Sequence, residues 1–208
     1  MDKTGKDLAQ FDVANAVYAV VGEESTVLPF TYMNTFSKDR NIQAQNLYGD
    51  GELQDILYAD QSITGAIGAT ARDAEFEKAV GFREDDGNGG TDEVAVKDAK
   101  RIHFGFETTV KEKGKPPRKK KVWVFNAVVV PPNESLTQNQ DSITLSTFDY
   151  NYTGYGIYKK DAQGTADYVD ANGQRTKVFT MSANPGDANY ATFLESVPTP
   201  KMAAAKTV

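Results

Sequence analysis

One histidine, no cysteine and 29 acidic side chains bound the chemistry open to this 208-residue chain. Without Cys there is no disulfide, thiolate ligand or thiol nucleophile, and a single His cannot build a His-rich metal site. Any Ser–His triad would depend on His103, which lies between Ile102 and Phe104 in a strand-like run and reads as a packed or surface residue. No G-x-S-x-G, P-loop or H-E-x-x-H motif occurs. The stretch DDGNGGTDE at 85–93 resembles a calcium loop at first sight. With Asp86 at position 1, however, Gly90 falls at position 5 and Lys97 at position 12, where oxygen ligands are required. Starting at Glu84 places Ala95 at position 12. Asp85 and Asp86 are also too local for a glycosidase dyad, which needs carboxylates converging from different elements. No catalytic residue, metal site or cofactor is expected, and the chain reads as a non-enzyme.

Charge is distributed more tellingly. Residues 111–121 hold Lys111, Lys113, Lys115, Arg118, Lys119, Lys120 and Lys121, seven of the chain's 23 bases, with Glu112 the one acid. The remainder carries 16 bases against 28 acids, or −12, although the whole chain is only −6. Gly114 and Pro116-Pro117 cannot continue a ladder, so 111–121 reads as a long basic hairpin loop. Three readings remain open for it: a solvated tip, an arm docking on an acidic neighbour, or a nucleic-acid contact. The last lacks the interleaved aromatics of a stacking platform and the basic face that phosphate affinity needs. An acidic body with one basic protrusion suits self-association.

The elements that would carry these residues are mainly β. Ten Tyr and eleven Phe beside 17 Gly favour strands over a helical bundle. Ile102, Phe104, Phe106, Thr108 and Val110 alternate with His103, Gly105, Glu107 and Thr109, as in a half-buried strand, and 122–130 is apolar on both faces except at Asn126. Residues 41–48 and 53–69 form a second hairpin around a G-D-G turn. Residues 26–40 read as irregular extended chain, and 83–99 as a long mobile acidic loop. A strand over 142–158 should carry a bulge near Gly154 or Gly156, with Phe148, Tyr150 and Tyr152 on one face. Residues 174–181 make a last strand. The spacing predicts one central helix over 71–82, capped by Thr70 and Gly81, with Phe76, Ala79 and Val80 as its apolar stripe. A short C-terminal helix is expected over 187–196. The whole is read as a β-sandwich or half-barrel of about seven strands over 11–197, with flexible segments at 1–10 and 198–208. No run approaches the roughly 18 apolar residues of a membrane span, so no membrane association is expected.

The order of these motifs resembles a known family. NLYGDGELQD is followed by an extended strand and a helix ending AVGF; then come HFGFET, the basic stretch, VWVFNAVVVPP, NESLTQNQDSITLSTFDYNYTGYG and NYATFLESV. This succession is similar to the major tail protein, the tail-tube subunit, of long-tailed (siphovirus-type) phages of Gram-positive bacteria. The resemblance implies a structural virion protein, made in the host cytoplasm, whose hexameric rings stack into the tail tube that conducts the genome. It also implies contacts with itself and with the tape-measure, tail-terminator and distal tail proteins, while DNA passes through the lumen without specific binding. On this reading the seven bases form an intersubunit arm. Gln43, Gln45, Asp55 and Thr64 are the candidate lumen-facing residues. The alternative is a non-catalytic β-sandwich that uses the basic loop to hold an acidic partner or nucleic acid.

Overall fold

A computed structural model describes residues 7–50, 52–134 and 147–202. The expected N-terminal segment 1–6, the connection and strand start at 135–146 and the tail 203–208 lie outside the described residues. The fold is mainly β, built from antiparallel strands with one helix among the described residues. In chain order the strands are β1 (Asp7–Val20), β2 (Leu28–Pro29), β3 (Met33–Phe36), β4 (Asp39–Gly49) and β5 (Glu52–Ala69). The helix α1 (Ala74–Val80) precedes β6 (Arg83–Asp85), β7 (Thr91–Glu93), β8 (Arg101–Glu112) and β9 (Arg118–Val129). Last come β10 (Phe148–Gly154), β11 (Ile157–Tyr158), β12 (Lys177–Val178) and β13 (Thr180–Ala183). The main sheet runs β2-β1-β8-β9-β10-β5-β3, with β4 on β5 and β13 on β9.

Strands β8 and β9 form the middle layer. On one face Phe104, Phe106 and Val124 join Tyr18, Phe30, Tyr150 and the helix residues Phe76 and Val80 in the larger core. On the other, Trp123 and Phe125 pack with Ala183, Phe193, Tyr190 and Leu194 of the C-terminal segment. The half-buried strand expected at 101–110 is therefore buried on both faces, because the side bearing His103 and Gly105 is covered by residues far along the chain. The indole Nε1 of Trp123, the only tryptophan, donates to the Phe193 carbonyl at 2.6 Å. A Cβ on Gly105 would sit 2.9 Å from the Trp123 ring and 3.0 Å from Leu194 Cδ2. Gly105→Ala is expected to cost about 1–3 kcal/mol by overpacking this contact, read as a lower urea midpoint.

Local corrections follow from the same packing. The C-terminal helix is absent: 187–196 is a series of turns, closed by bonds such as Tyr190 N–H to Asp187 O and Glu195 N–H to Thr192 O. The side chains at 190, 193 and 194 are placed by the Trp123 surface rather than by a helix. Residues 7–10, expected to be flexible, pair with β8. Residues 198–202 are likewise docked, with Lys160 N–H donating to Pro200 O at 2.8 Å and Met202 N–H to Lys160 O at 2.9 Å. The acidic stretch 83–99 contains the β6–β7 hairpin, and Asp86 Oδ1 closes its turn by accepting from Asn88 and Gly90 N–H. Part of the irregular segment 26–40 forms β2, β3 and the start of β4. Helix α1 is capped by Asp73, not Thr70: its carboxylate accepts from Phe76 N–H at 3.1 Å and from Thr31 N–H at 2.8 Å. Gly81 ends the helix at φ 85, as its position after the apolar stripe predicts.

Candidate assembly surfaces and the Asn126 cavity

The basic stretch is the first surface to place. Strands β8 and β9 extend through most of it, so the expected eleven-residue loop contracts to the turn 113–117. Lys113 and Lys115 are exposed there, and Lys115 Nζ pairs with Glu112 Oε2 at 2.7 Å. Lys111 donates to the Lys115 carbonyl. Arg118 Nε meets Glu112 Oε1 at 2.8 Å, and Lys115 and Arg118 together hold the Glu112 carboxyl below its usual range. Lys119 Nζ lies 3.0 Å from Asp12 Oδ2. Lys121 donates to the Tyr190 and Ala191 carbonyls at 2.9 and 3.1 Å and sits over the Tyr190 ring. Lys120 is half-buried on β9. Arg118, Lys119 and Lys121 therefore tie β9 to β1 and the C-terminal segment, which leaves the turn as the part of this stretch that projects.

The second surface is the β4–β5 hairpin. Strand β10 pairs with β5 only from Ile63 to Ala69, and β3 only near its end. From Glu52 to Ser62, β4 is the only strand paired with β5 among the described residues. The register places Ile42, Ala44, Asn46 and Tyr48 on one face with Tyr58, Ile56 and, past a bulge, Leu53. Asn46 Nδ2 to Tyr48 Oη at 3.3 Å and the Arg40–Asp60 ion pair fit that assignment. Tyr58 is 70% exposed and Tyr48 64%, and neither hydrophobic core reaches this face.

The opposite face is mostly polar, with Leu47, 48% exposed, as its large apolar side chain opposite Asp55. Gln43, Gln45 and Asp55 lie on it together, and Thr64, paired with Asp39, lies at its root. It continues across the sheet through Thr153, Asn151 and Asp149 of β10. All four candidate lumen residues thus share one surface with two further carboxylates, Asp39 and Asp149.

A cavity of about 690 Å³ opens where β9 changes partners. The first half of β9 pairs with β13 and the last part with β10, and between them Asn126 occupies a bulge at φ 54. Asn126 Nδ2 donates to Gly156 O at 3.0 Å, and its backbone N–H points to His103 Nδ1 at 3.3 Å. That contact makes Nδ1 the acceptor nitrogen and leaves the proton on Nε2, 3.7 Å from Glu24 Oε1. Burial pushes the imidazole below its ordinary range, against the pull of Glu24. Below about pH 6.5 the unfolded chain binds a proton that the folded chain resists. Stability is therefore lost as pH falls from the unfolded value toward the lower folded one. The unfolding free energy, read from the urea midpoint, is expected to drop between pH 7.5 and 5.5, by at most about 1.4 kcal/mol per pH unit from this group. The slope should flatten in His103→Gln.

The chemical keystone missing from the sequence reading is Glu77. Its fully buried carboxylate binds Arg72 Nε at 2.7 Å, accepts from Tyr150 Oη at 2.7 Å and lies 2.5 Å from Arg83 Nε. Its signal was the spacing: 73, 77 and 80 fall on the buried side of α1. The network pins the helix to β10 and to the β6–β7 hairpin. Compared with known proteins, the chain matches no family model and no curated protein.

Proposed function

We propose that this chain is a structural, self-assembling subunit whose stacked rings form the tail tube of a long-tailed phage. The observation that carries self-assembly is the β4–β5 hairpin. A two-stranded ribbon is marginal in water, and this one presents five exposed large apolar side chains on a single face: Ile42, Tyr48, Leu53, Ile56 and Tyr58. The outer edge of β4 has no strand paired with it among the described residues, and a second copy can satisfy its backbone groups. Both features are costly in a monomer and useful in a polymer. The tube assignment adds the motif order and the polar, carboxylate-bearing face of β4, β5 and β10, which suits a conduit that passes DNA without gripping it.

Within this reading the partners are further copies of the chain and the proteins that set tube length and close its ends. The basic stretch has a reduced part in it, since Arg118, Lys119 and Lys121 are engaged within the subunit. The same engagement weakens the alternative of a basic loop that holds nucleic acid. Light scattering across a concentration series tests the proposal. Sigmoidal growth of large particles above a threshold concentration is expected, and a flat monomer signal at all concentrations would oppose it.

A further inference from the structure

We propose that the Asn126 cavity is the docking site for the acidic turn of the β4–β5 hairpin of a second copy of this chain. The inference rests on the self-assembly reading and names which two surfaces meet.

Charge selects the class of occupant. The carboxylates at the cavity are already committed: Glu24 accepts from Gly22 N–H at 2.9 Å, and Asp167 binds Lys160 at 2.8 Å and Arg175 at 3.3 Å. Arg101 and Lys177 on the rim have no carboxylate partner among the described residues. Their charged groups rest near the rings of Tyr155, at 5.4 Å, and Tyr158, at 5.9 Å. The mouth therefore holds two uncompensated cations held in place by aromatic rings, which suits an anionic occupant. On the floor, Asn126 Oδ1 is buried without a donor. Leaving such an atom unsatisfied is costly, so an occupant that brings an N–H is favoured over a bare anion. Tyr155, Ile157 and Val197 add an apolar wall.

The hairpin turn supplies each of these groups. Asp50 and Glu52 are exposed there, beside the exposed Tyr48 and Leu53. A turn also leaves backbone N–H groups outside any ladder. Strands of this length carry the turn roughly 30 Å from the root of the arm, far enough to enter a neighbour. Arm and cavity are different patches, so the contact is head to tail and propagates.

Charge exchange tests the pairing. Arg101→Glu with Lys177→Glu, and separately Asp50→Lys with Glu52→Lys, should each raise the threshold concentration for assembly about tenfold or more. Combining all four substitutions should return it to within about threefold of wild type, and an equal mixture of the two double variants should co-assemble. Arg101→Lys, which keeps the charge, should behave as wild type, and circular dichroism of each variant shows that it is folded. Wild-type assembly by Arg101→Glu/Lys177→Glu overturns the docking, as does a four-fold variant no better than the doubles. Both of those results leave the self-assembly reading standing. Failure of the unaltered chain to assemble at all would instead remove that reading and the docking with it.

Discussion

Glu77→Ala is expected to lower the unfolding free energy by about 3–5 kcal/mol, the usual result of removing one partner from a buried ionic cluster. The carboxylate is fully buried and neutralises two guanidinium groups while accepting from a tyrosine. Its loss leaves Arg83 without its carboxylate partner, holding Thr91 Oγ1 at 3.3 Å, and Tyr150 Oη without an acceptor in the core. Arg72 retains only longer contacts to Glu93 and Glu134, each at 3.3 Å. Burial and the adjacent carboxylate hold the Tyr150 hydroxyl protonated well above its usual range, so it remains a donor throughout ordinary pH. Urea unfolding followed by Trp123 fluorescence gives the readout. A loss below about 1 kcal/mol would show that the cluster contributes little and that α1 is held by Phe76 and Val80 alone.

Leu53→Ser, Ile56→Ser and Tyr58→Ser combined are expected to raise the threshold concentration for assembly about 100-fold. Each side chain is at least one-third exposed in the subunit, and covering the remainder returns about 1 kcal/mol apiece. Three such terms are worth roughly two powers of ten. The urea midpoint should stay at its wild-type value, because none of the three belongs to either core cluster. Sedimentation of assembled material beside unfolding curves separates the two effects. A triple variant that assembles normally would remove the hairpin from the interface.

Legibility in the sequence followed the locality of the forces. The alternation of Phe148, Tyr150 and Tyr152 reports directly which face of β10 is buried. The bulge expected near Gly154 or Gly156 is instead the end of the strand, with Ile157–Tyr158 pairing in a different sheet. The G-D-G turn and its flanking runs are local, so the arm was readable as a hairpin. Its isolation was not, because that depends on where β10 stops pairing with β5. The lysines at 119 and 121 are unfavourable in a strand by propensity alone. They are accommodated by Asp12 and by the carbonyls of 190 and 191, partners about 70 or more residues away. The apolar spacing of Tyr190, Phe193 and Leu194 imitates a helix, yet the buried Trp123 surface selects turns there. The Asn126 cavity depends on a bulge and a change of strand partner, neither of which has a residue signature beyond one polar side chain in an apolar run. Surface function was therefore less readable than the core.

Electron microscopy of the concentrated, unaltered chain tests the central claim most directly. The account predicts rings or hollow tubes of uniform diameter, assembled from this chain alone. A field of dispersed monomers at every concentration and salt condition would contradict it.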